Sequence, residues 1–321
     1  LIAKGLYIMT GARPALDRES AIAAYLEYAD RMPQITSADL PGQTQVVRNI
    51  LDIADQFDVI IFDAFGVLNS GVHAIPGALS VVSALRDRNI ELAVVTNDAS
   101  NTPDTIIARH RNRGFDFTVE SLVSSAQYIV PMMHRHSDVT QWGVMAPGHW
   151  PIDGLPGQAG FLADEQSFYD AVEGFVLIDS DEWNGQRQHM LETSLSKNPR
   201  PILVGNPDIC APMGDFLSVE SGYFAHLAAD ACGGVPQCVG KPYREVFDDI
   251  LQRHPAVDRN RILMVGDTLH TDILGGLAVG IKTLLVTRGG FLDGYQDLAG
   301  LYQRSGIHPH FMAPAIGNGL E

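Results

Sequence analysis

Residues 58–68 read DVIIFDAFGVL: Asp58, the apolar run Val59-Ile60-Ile61-Phe62, then Asp63, with Gly66 almost at once. A short, continuous apolar run closed by a turn-forming glycine reads as a strand buried on both faces, as in a parallel sheet. It delivers a carboxylate to its C-terminal end, which is the edge where open α/β sheets bind ligands. Two questions follow: whether Asp63 is a nucleophile, and what it means that Phe65, not a second acid, sits two residues on.

Outward from this strand the pattern repeats. ALSVVSALRDRN (78–89) reads as a helix started by Pro76-Gly77, and IELAVVTND (90–98) as a second buried strand ending in Thr96 and Asn97. TPDTIIARHRNRG (102–114) is a helix with Thr102 at the N-cap, Pro103 at the first position and Gly114 past its end. VVRNILDIADQF (46–57) and SLVSSAQYIVPMMHRH (121–136) also read as helical. The pattern resumes with the helix KPYREVFDDILQRH (241–254) and the strand RILMVGD (261–267). The helix TDILGGLAVG (271–280) and IKTLLVT (281–287), the strand closing the sheet, complete it.

Strands separated by helices of this length form right-handed βαβ units. The expected fold class is therefore α/β: a doubly wound parallel sheet, a Rossmann-like core, formed by residues 46–137 and 236–310. Residues 138–235 are less regular and rich in Gly, Pro and Trp, and they read as an inserted α/β cap domain. Residues 1–45 read as an N-terminal helical extension. There Ile22, Tyr25, Leu26 and Ala29 fall at helical spacing after Ser20 as N-cap, and no chemistry is assigned to it.

The chain has 321 residues, 45% of them hydrophobic and 19% charged, enough for a sizeable core in about two domains. Its formal charge of −16 disfavours nucleic acid and anionic membrane as partners. Any attraction for an anionic substrate must then be local, from a cation, a metal or backbone amides. No apolar run approaches the roughly 20 residues of a membrane span, and the first stretch lacks a convincing signal-peptide core. Cys210, Cys232 and Cys238 match no zinc spacing and read as reduced thiols of a cytoplasmic protein.

Four features fall at strand ends or helix starts of the core: Asp63; Thr96-Asn97; Lys241 in VGKP; and Asp267 in VGDTLHTDI, with Asp272 five residues beyond. Carboxylates, a cation, a hydroxyl and an amide at one sheet edge suit a phosphate and a hard divalent cation such as Mg²⁺. Lys241 would offset charge, while Thr96, Asn97 and the amides near Gly66 would hold phosphate oxygens. Each motif alone has a bland explanation as a turn, a cap or a solvated side chain; four in order at one edge do not.

In these four motifs, and in their order, the chain resembles the haloacid dehalogenase superfamily. The long insertion, with Asn206-Pro207-Asp208 near its end, resembles the NagD-like, class IIA branch. The resemblance implies that Asp63 is a nucleophile forming an aspartyl-phosphate, and that Asp63, the backbone carbonyl of Phe65 and Asp267 hold Mg²⁺. It further implies that Thr96 and Lys241 position the phosphoryl group, with Lys241 orienting Asp63, and that Asp272 stands behind them. The insertion would be a cap closing over a small phosphorylated metabolite, with Asn206 and Asp208 facing the site; caps of this branch also form homodimers.

Phosphatases of this family carry a second Asp where Phe65 stands, and it protonates the leaving oxygen and then activates water. Loss of such a group costs about 10²–10⁴-fold. His73 and His270 are candidate replacements, since histidine titrates in the right range. Trp142, Trp150, Trp183 and Asp181 of the insertion are candidates for substrate selection, the tryptophans being more naturally cap core. Two alternatives remain: a phospho-ligand-binding protein with negligible turnover, and a metal-independent dehalogenase, whose first motif DAFG also resembles. Asp267 and Asp272 beside Asp63 disfavour the latter, because unmetallated like charges spoil a nucleophile.

Overall fold

The computed structural model describes residues 8–10, 13–214 and 216–317. In chain order its two large sheets are built as follows. First come β1 (Gln45–Val46), β2 (Val59–Phe62), β3 (Glu91–Thr96) and β4 (Leu122–Ser124). Next are β5 (Gln141–Met145), β6 (Gln158–Phe161), β7 (Gly174–Leu177), β8 (Ile202–Val204) and β9 (Gln237–Cys238). Last are β10 (Ile262–Gly266), β11 (Lys282–Val286) and β12 (Phe311–Ala313). The core sheet runs β1-β12-β11-β10-β2-β3-β4 and the inserted sheet β6-β5-β7-β8-β9, every pairing in both being parallel.

The apolar run of β2 is continuous because both its faces are covered. Ile60 and Phe62 pack with Val81, Val82 and Leu85 of the helix Ala78–Arg86 and with Ile106 and Ile107 of the helix Pro103–Asn112. Val59 and Ile61 turn the other way, onto Val246, Phe247 and Ile250 of the helix Glu245–Arg253. At roughly 1.5–3 kcal/mol for each fully buried large aliphatic or aromatic side chain, this strand anchors the core. Helix Pro103–Asn112 starts as its sequence suggests, with the Thr102 hydroxyl accepting from Thr105 N.

Several elements differ from the sequence reading. In 46–57 the apolar residues Ile50, Ile53, Ala54 and Phe57 are all buried, at helical spacing. The chain nevertheless makes β1 and two single 3₁₀ turns, the first capped by the Asn49 side chain on Leu51 N. In 121–136 the first residues form the edge strand β4, and only Ile129–His134 is α-helical. A three-residue buried strand has no periodicity to separate it from a helix. Lys282–Val286 is not the edge either, because β12 and β1 continue the sheet beyond it. The core therefore reaches past residue 310, and the cap sheet past 235 through β9.

The extension holds more than a helix. Helix Arg18–Glu27 is capped by Asp17, not Ser20; the Asp17 carboxylate accepts from both the backbone and the hydroxyl of Ser20. Before it, Ile8–Thr10 and Arg13–Leu16 join an antiparallel four-stranded sheet whose other members are Leu217–Val219 and Cys210–Pro212 of the cap. Ile22 and Tyr25 enter one apolar cluster with Leu177, Phe224 and Val219 of the cap and with Leu269, Ile273 and Phe291 of the core.

Trp142 and Trp183 are cap core, as expected. Among the described residues no helix is long and apolar enough to cross a membrane. Burial lowers His110 and His270 to about 4 and His226 to about 3. Below the ordinary histidine value of about 6.5 the unfolded chain takes up protons that these folded histidines refuse. Their contribution to stability is therefore present above pH 6.5 and lost as pH falls towards 4. His226→Gln is expected to flatten the slope of unfolding free energy between pH 6 and 4.5 by about 1.4 kcal/mol per pH unit, one proton's worth, in denaturant titrations.

Candidate active site

Asp63 leaves β2, Thr96 ends β3 and Asp267 leaves β10, and these three strands are neighbours with β2 in the centre. Their C-terminal ends therefore place the three side chains together. Asp63 N is held by Val265 O at 2.9 Å, continuing the β2–β10 ladder through the nucleophile candidate itself. The chain then closes on itself: Leu68 N and Asn69 N both donate to Ala64 O, and Gly66 N donates to Asn69 O at 2.8 Å. Gly66 sits at φ +77°, and a Cβ there would lie 2.1 Å from Asp267 Oδ2 and 2.9 Å from Gly290 Cα. Only glycine lets this turn pass beside the second carboxylate.

Lys241 ties the cluster together. Its side chain is 3% exposed, and Nζ pairs with Asp63 Oδ1 and, at 2.8 Å, with Asp272 Oδ1. Burial works against its charge, but Asp272, Asp63 and Asp208 outweigh it and hold the ammonium above its usual range. Asp272 Oδ2 also accepts from Asp267 N and Thr268 N, each at 3.2 Å, which fixes the turn carrying Asp267. Asp272 thus stands behind the site, on the turn Leu269–Ile273.

Asp63, Asp267 and Asp272 each offer an oxygen within 4.8 Å of the others, and all three are buried. Burial, followed by the other carboxylates, pushes the Asp63 carboxyl up; burial and then Asp272 do the same to Asp267. Three buried carboxylates against one ammonium leave negative charge to be balanced, and an all-oxygen donor set fits a hard divalent cation. Of the three, Asp63 and Asp267 line the cavity and Asp272 does not, so the first two are the available ligands.

The cavity holds about 510 Å³ and lies between this edge and the cap. Thr96 lines it; its hydroxyl accepts from Asp98 N at 3.2 Å, leaving its proton to donate. Asn97 differs from the expectation of a phosphate ligand, because both its amide hydrogens are committed. Nδ2 donates to Asp208 Oδ1 at 2.8 Å and to Lys241 O at 2.9 Å, while Oδ1 accepts from Lys241 N at 2.7 Å. It is a clamp between the second motif, the third motif and the cap. Asn206 likewise shapes its own turn: its Oδ1 accepts from Asp208 N and its Nδ2 donates to Glu220. Burial raises the Asp208 carboxyl to about 7.

Phe65 lines the cavity and packs on the core beneath it. Neither proposed replacement acid faces the cavity. His73 lies exposed in the hairpin Asn69–Ser70/His73–Ala74, and His270 is buried with its ring stacked on Tyr25 at 4.9 Å. Of the cap candidates, Asp181 lines the cavity, whereas Trp150 donates to Ala99 O at 3.3 Å. Residues passed over in the sequence also line it: Asp98, Ser100, Asn101, Arg109, His149 and Asp179. The loop after Thr96-Asn97 was the available signal for the first three.

Residues 60–151 match the family model described as haloacid dehalogenase-like hydrolase, and residues 238–316 match the one described as HAD-hydrolase-like. The two matches carry the strands on either side of the insertion. The chain belongs to the haloacid dehalogenase-like hydrolases. Among relatives of this hydrolase, a dihydroxyacetone phosphatase of Corynebacterium glutamicum (strain R) is 27% identical over 227 residues, 71% of this chain and 80% of that one. A structure described as a possible sugar phosphatase, from Cytophaga hutchinsonii ATCC 33406, aligns with TM-score 0.73 at 25% identity, covering 87% of this chain and 100% of that one. NagD from E. coli K-12 shares the fold, with TM-score 0.59 at 22% identity over 82% of this chain and 98% of that one.

Gly66→Ala is expected to weaken Mg²⁺ binding to the metal-free protein by at least about tenfold in calorimetry, because Asp267 must move away from the new methyl group and the positive φ is strained. Unchanged Mg²⁺ affinity would contradict this packing of the turn against Asp267.

Proposed function

We propose that the protein is a Mg²⁺-dependent phosphatase that hydrolyses a small phosphomonoester through an aspartyl-phosphate on Asp63. The observation that carries this reading is Lys241 bridging Asp63 and Asp272 at the floor of a cavity that Asp63 and Asp267 share. An Asp63 oxygen attacks phosphorus, the bond to the leaving oxygen breaks, and water then attacks the aspartyl-phosphate to return phosphate and the free carboxylate. Lys241 holds Asp63 ionised and oriented, and the Thr96 hydroxyl receives a phosphoryl oxygen, whereas the Gly66 amide, expected to do the same, is spent on Asn69 O. Asp63 and Asp267, with the Phe65 carbonyl, would hold the cation, whose chemistry is to neutralise the phosphoryl oxygens.

The relatives named as dihydroxyacetone and possible sugar phosphatases support a polyhydroxylated substrate. The cavity wall supports the same class: seven carboxylates line it against the cations Lys241, Arg109 and Arg113. Carboxylates such as Asp98, Asp179 and Asp181 accept hydrogen bonds from hydroxyl groups and repel a second anion. A triose or sugar phosphate is therefore expected to exceed phosphoglycolate in kcat/KM by about tenfold or more, since like-charge contacts cost several kcal/mol.

Phe65 leaves the departing alcohol without a positioned proton donor at that place. Aryl phosphates, whose leaving groups need no proton, are expected to lose least from its absence, although the attack of water on the aspartyl-phosphate stays unassisted. Phe65→Asp is expected to raise kcat on alkyl phosphates by about 10²–10⁴-fold, and Asp63→Asn and chelator each to abolish release. Halide release from a 2-haloacid in chelator would point to the dehalogenase reading instead. Mg²⁺-dependent ligand binding with no hydrolysis, and no gain from Phe65→Asp, would point to a binding protein.

A further inference from the structure

The N-terminal segment touches both halves of the active site, and it does so through polar contacts as well as packing. Tyr25 is 1% exposed, and its hydroxyl accepts from Ile209 N at 3.3 Å, the amide directly after Asp208. Its ring stacks on His270 in the turn that carries Asp272, and its edge meets Phe291 at 5.8 Å between ring centroids. Phe291 N donates to Asp267 Oδ2 at 2.6 Å, and Arg18, on the same helix as Tyr25, donates to Phe291 O at 2.7 Å. The residue whose amide steadies one metal-ligand candidate is thus held by the extension at its other end, through the carbonyl of the next peptide unit.

On the cap side, Arg13–Leu16 pairs with Leu217–Val219, with Leu16 opposite Leu217 and Ala15 opposite Ser218. That strand pairs in turn with Cys210–Pro212, three residues that line the cavity. Beyond the helix, Arg31 forms an ion pair with Asp230 of the cap helix Ser221–Cys232 and accepts from Tyr243 Oη at 3.4 Å through its carbonyl.

We propose that this segment is a built-in brace of the active site: Tyr25 is a positioning residue for the Asn206–Asp208 turn, and Arg18 a positioning residue for the loop that steadies Asp267. The two act on different things. Tyr25 sets the cap turn that, through Asp208, meets the Asn97 clamp, so it governs how substrate is received. Arg18 holds Phe291 by its carbonyl and so limits the movement of the neighbouring amide, which governs how firmly Asp267 presents its oxygens to a cation. The catalytic arm of the test rests on the phosphatase reading; the two binding and exchange arms do not.

The experiment uses the full chain with Tyr25→Phe, which keeps the ring stack and removes only the hydroxyl, and with Arg18→Gln. Amide hydrogen exchange across 206–213 is expected to quicken in Tyr25→Phe and not in Arg18→Gln. Mg²⁺ affinity by calorimetry is expected to fall about 2- to 10-fold in Arg18→Gln, the size of one lost hydrogen bond, and to hold in Tyr25→Phe. With substrate, Tyr25→Phe is expected to raise KM by a similar factor while kcat stays within about twofold. Arg31→Ala, which loosens the same segment away from both contacts, is the folding control: it is expected to lower the melting temperature without moving either readout. Equal effects of all three variants on exchange, Mg²⁺ affinity and melting would overturn the proposal, leaving the segment as packing alone. If exchange and Mg²⁺ affinity respond as expected and no phosphate is released by wild-type protein, the brace stands and the phosphatase reading fails.

Discussion

One buried ammonium organises this molecule. Lys241 sits almost fully out of water between Asp63 and Asp272, with Asp267 and Asp208 close enough to shape the local field. Removing a partner from a buried ion pair leaves an uncompensated charge and costs several kcal/mol, so each member depends on the others. The arrangement is also incomplete by charge. Three carboxylates and one lysine leave negative charge that a divalent cation would balance, and burial raises the carboxyls of Asp63 and Asp267. A site that is frustrated as a bare protein and balanced with metal and phosphate favours its ligands.

The rest of the fold serves to hold that cluster. Adjacent parallel strands aim Asp63, Thr96 and Asp267 at one edge, and Gly66 lets the following turn lie against Asp267. The third motif is locked by Asn97, whose amide reaches Lys241 backbone and the Asp208 carboxylate together. Cap and core are therefore joined through the same hydrogen-bonded group that orients the lysine. The N-terminal helix closes the structure from the other side, filling a cluster to which both domains contribute.

Much of this was legible in the sequence, and for definite reasons. Val59–Phe62 announces itself because a strand covered on both faces must be apolar throughout, and Asp63 because a charge at the end of such a run has to have partners. The helix 103–112 carried its own start signal in Thr102-Pro103. What failed was what periodicity cannot resolve: the short strands β1, β4, β9 and β12, whose existence depends on neighbours distant in the chain. The sequence puts Asn97 at the right edge but carries no sign of the contacts, with residues 111 and 144 positions away, that take up its side-chain amide. Tyr25 looked like an ordinary helix-face residue; nothing local marks a hydroxyl that will meet Ile209 N.

The central claim is that Asp63 takes the phosphoryl group beside a cation held with Asp267. A crystal structure with Mg²⁺ and beryllium trifluoride, which mimics a phosphoryl group on a carboxylate, tests it most directly. The expected result is beryllium bonded to an Asp63 oxygen, with Mg²⁺ contacting Asp63 and Asp267 and with Lys241 at the fluorines. Beryllofluoride on another side chain, or Mg²⁺ binding away from Asp267 with Asp63 bare, would contradict it.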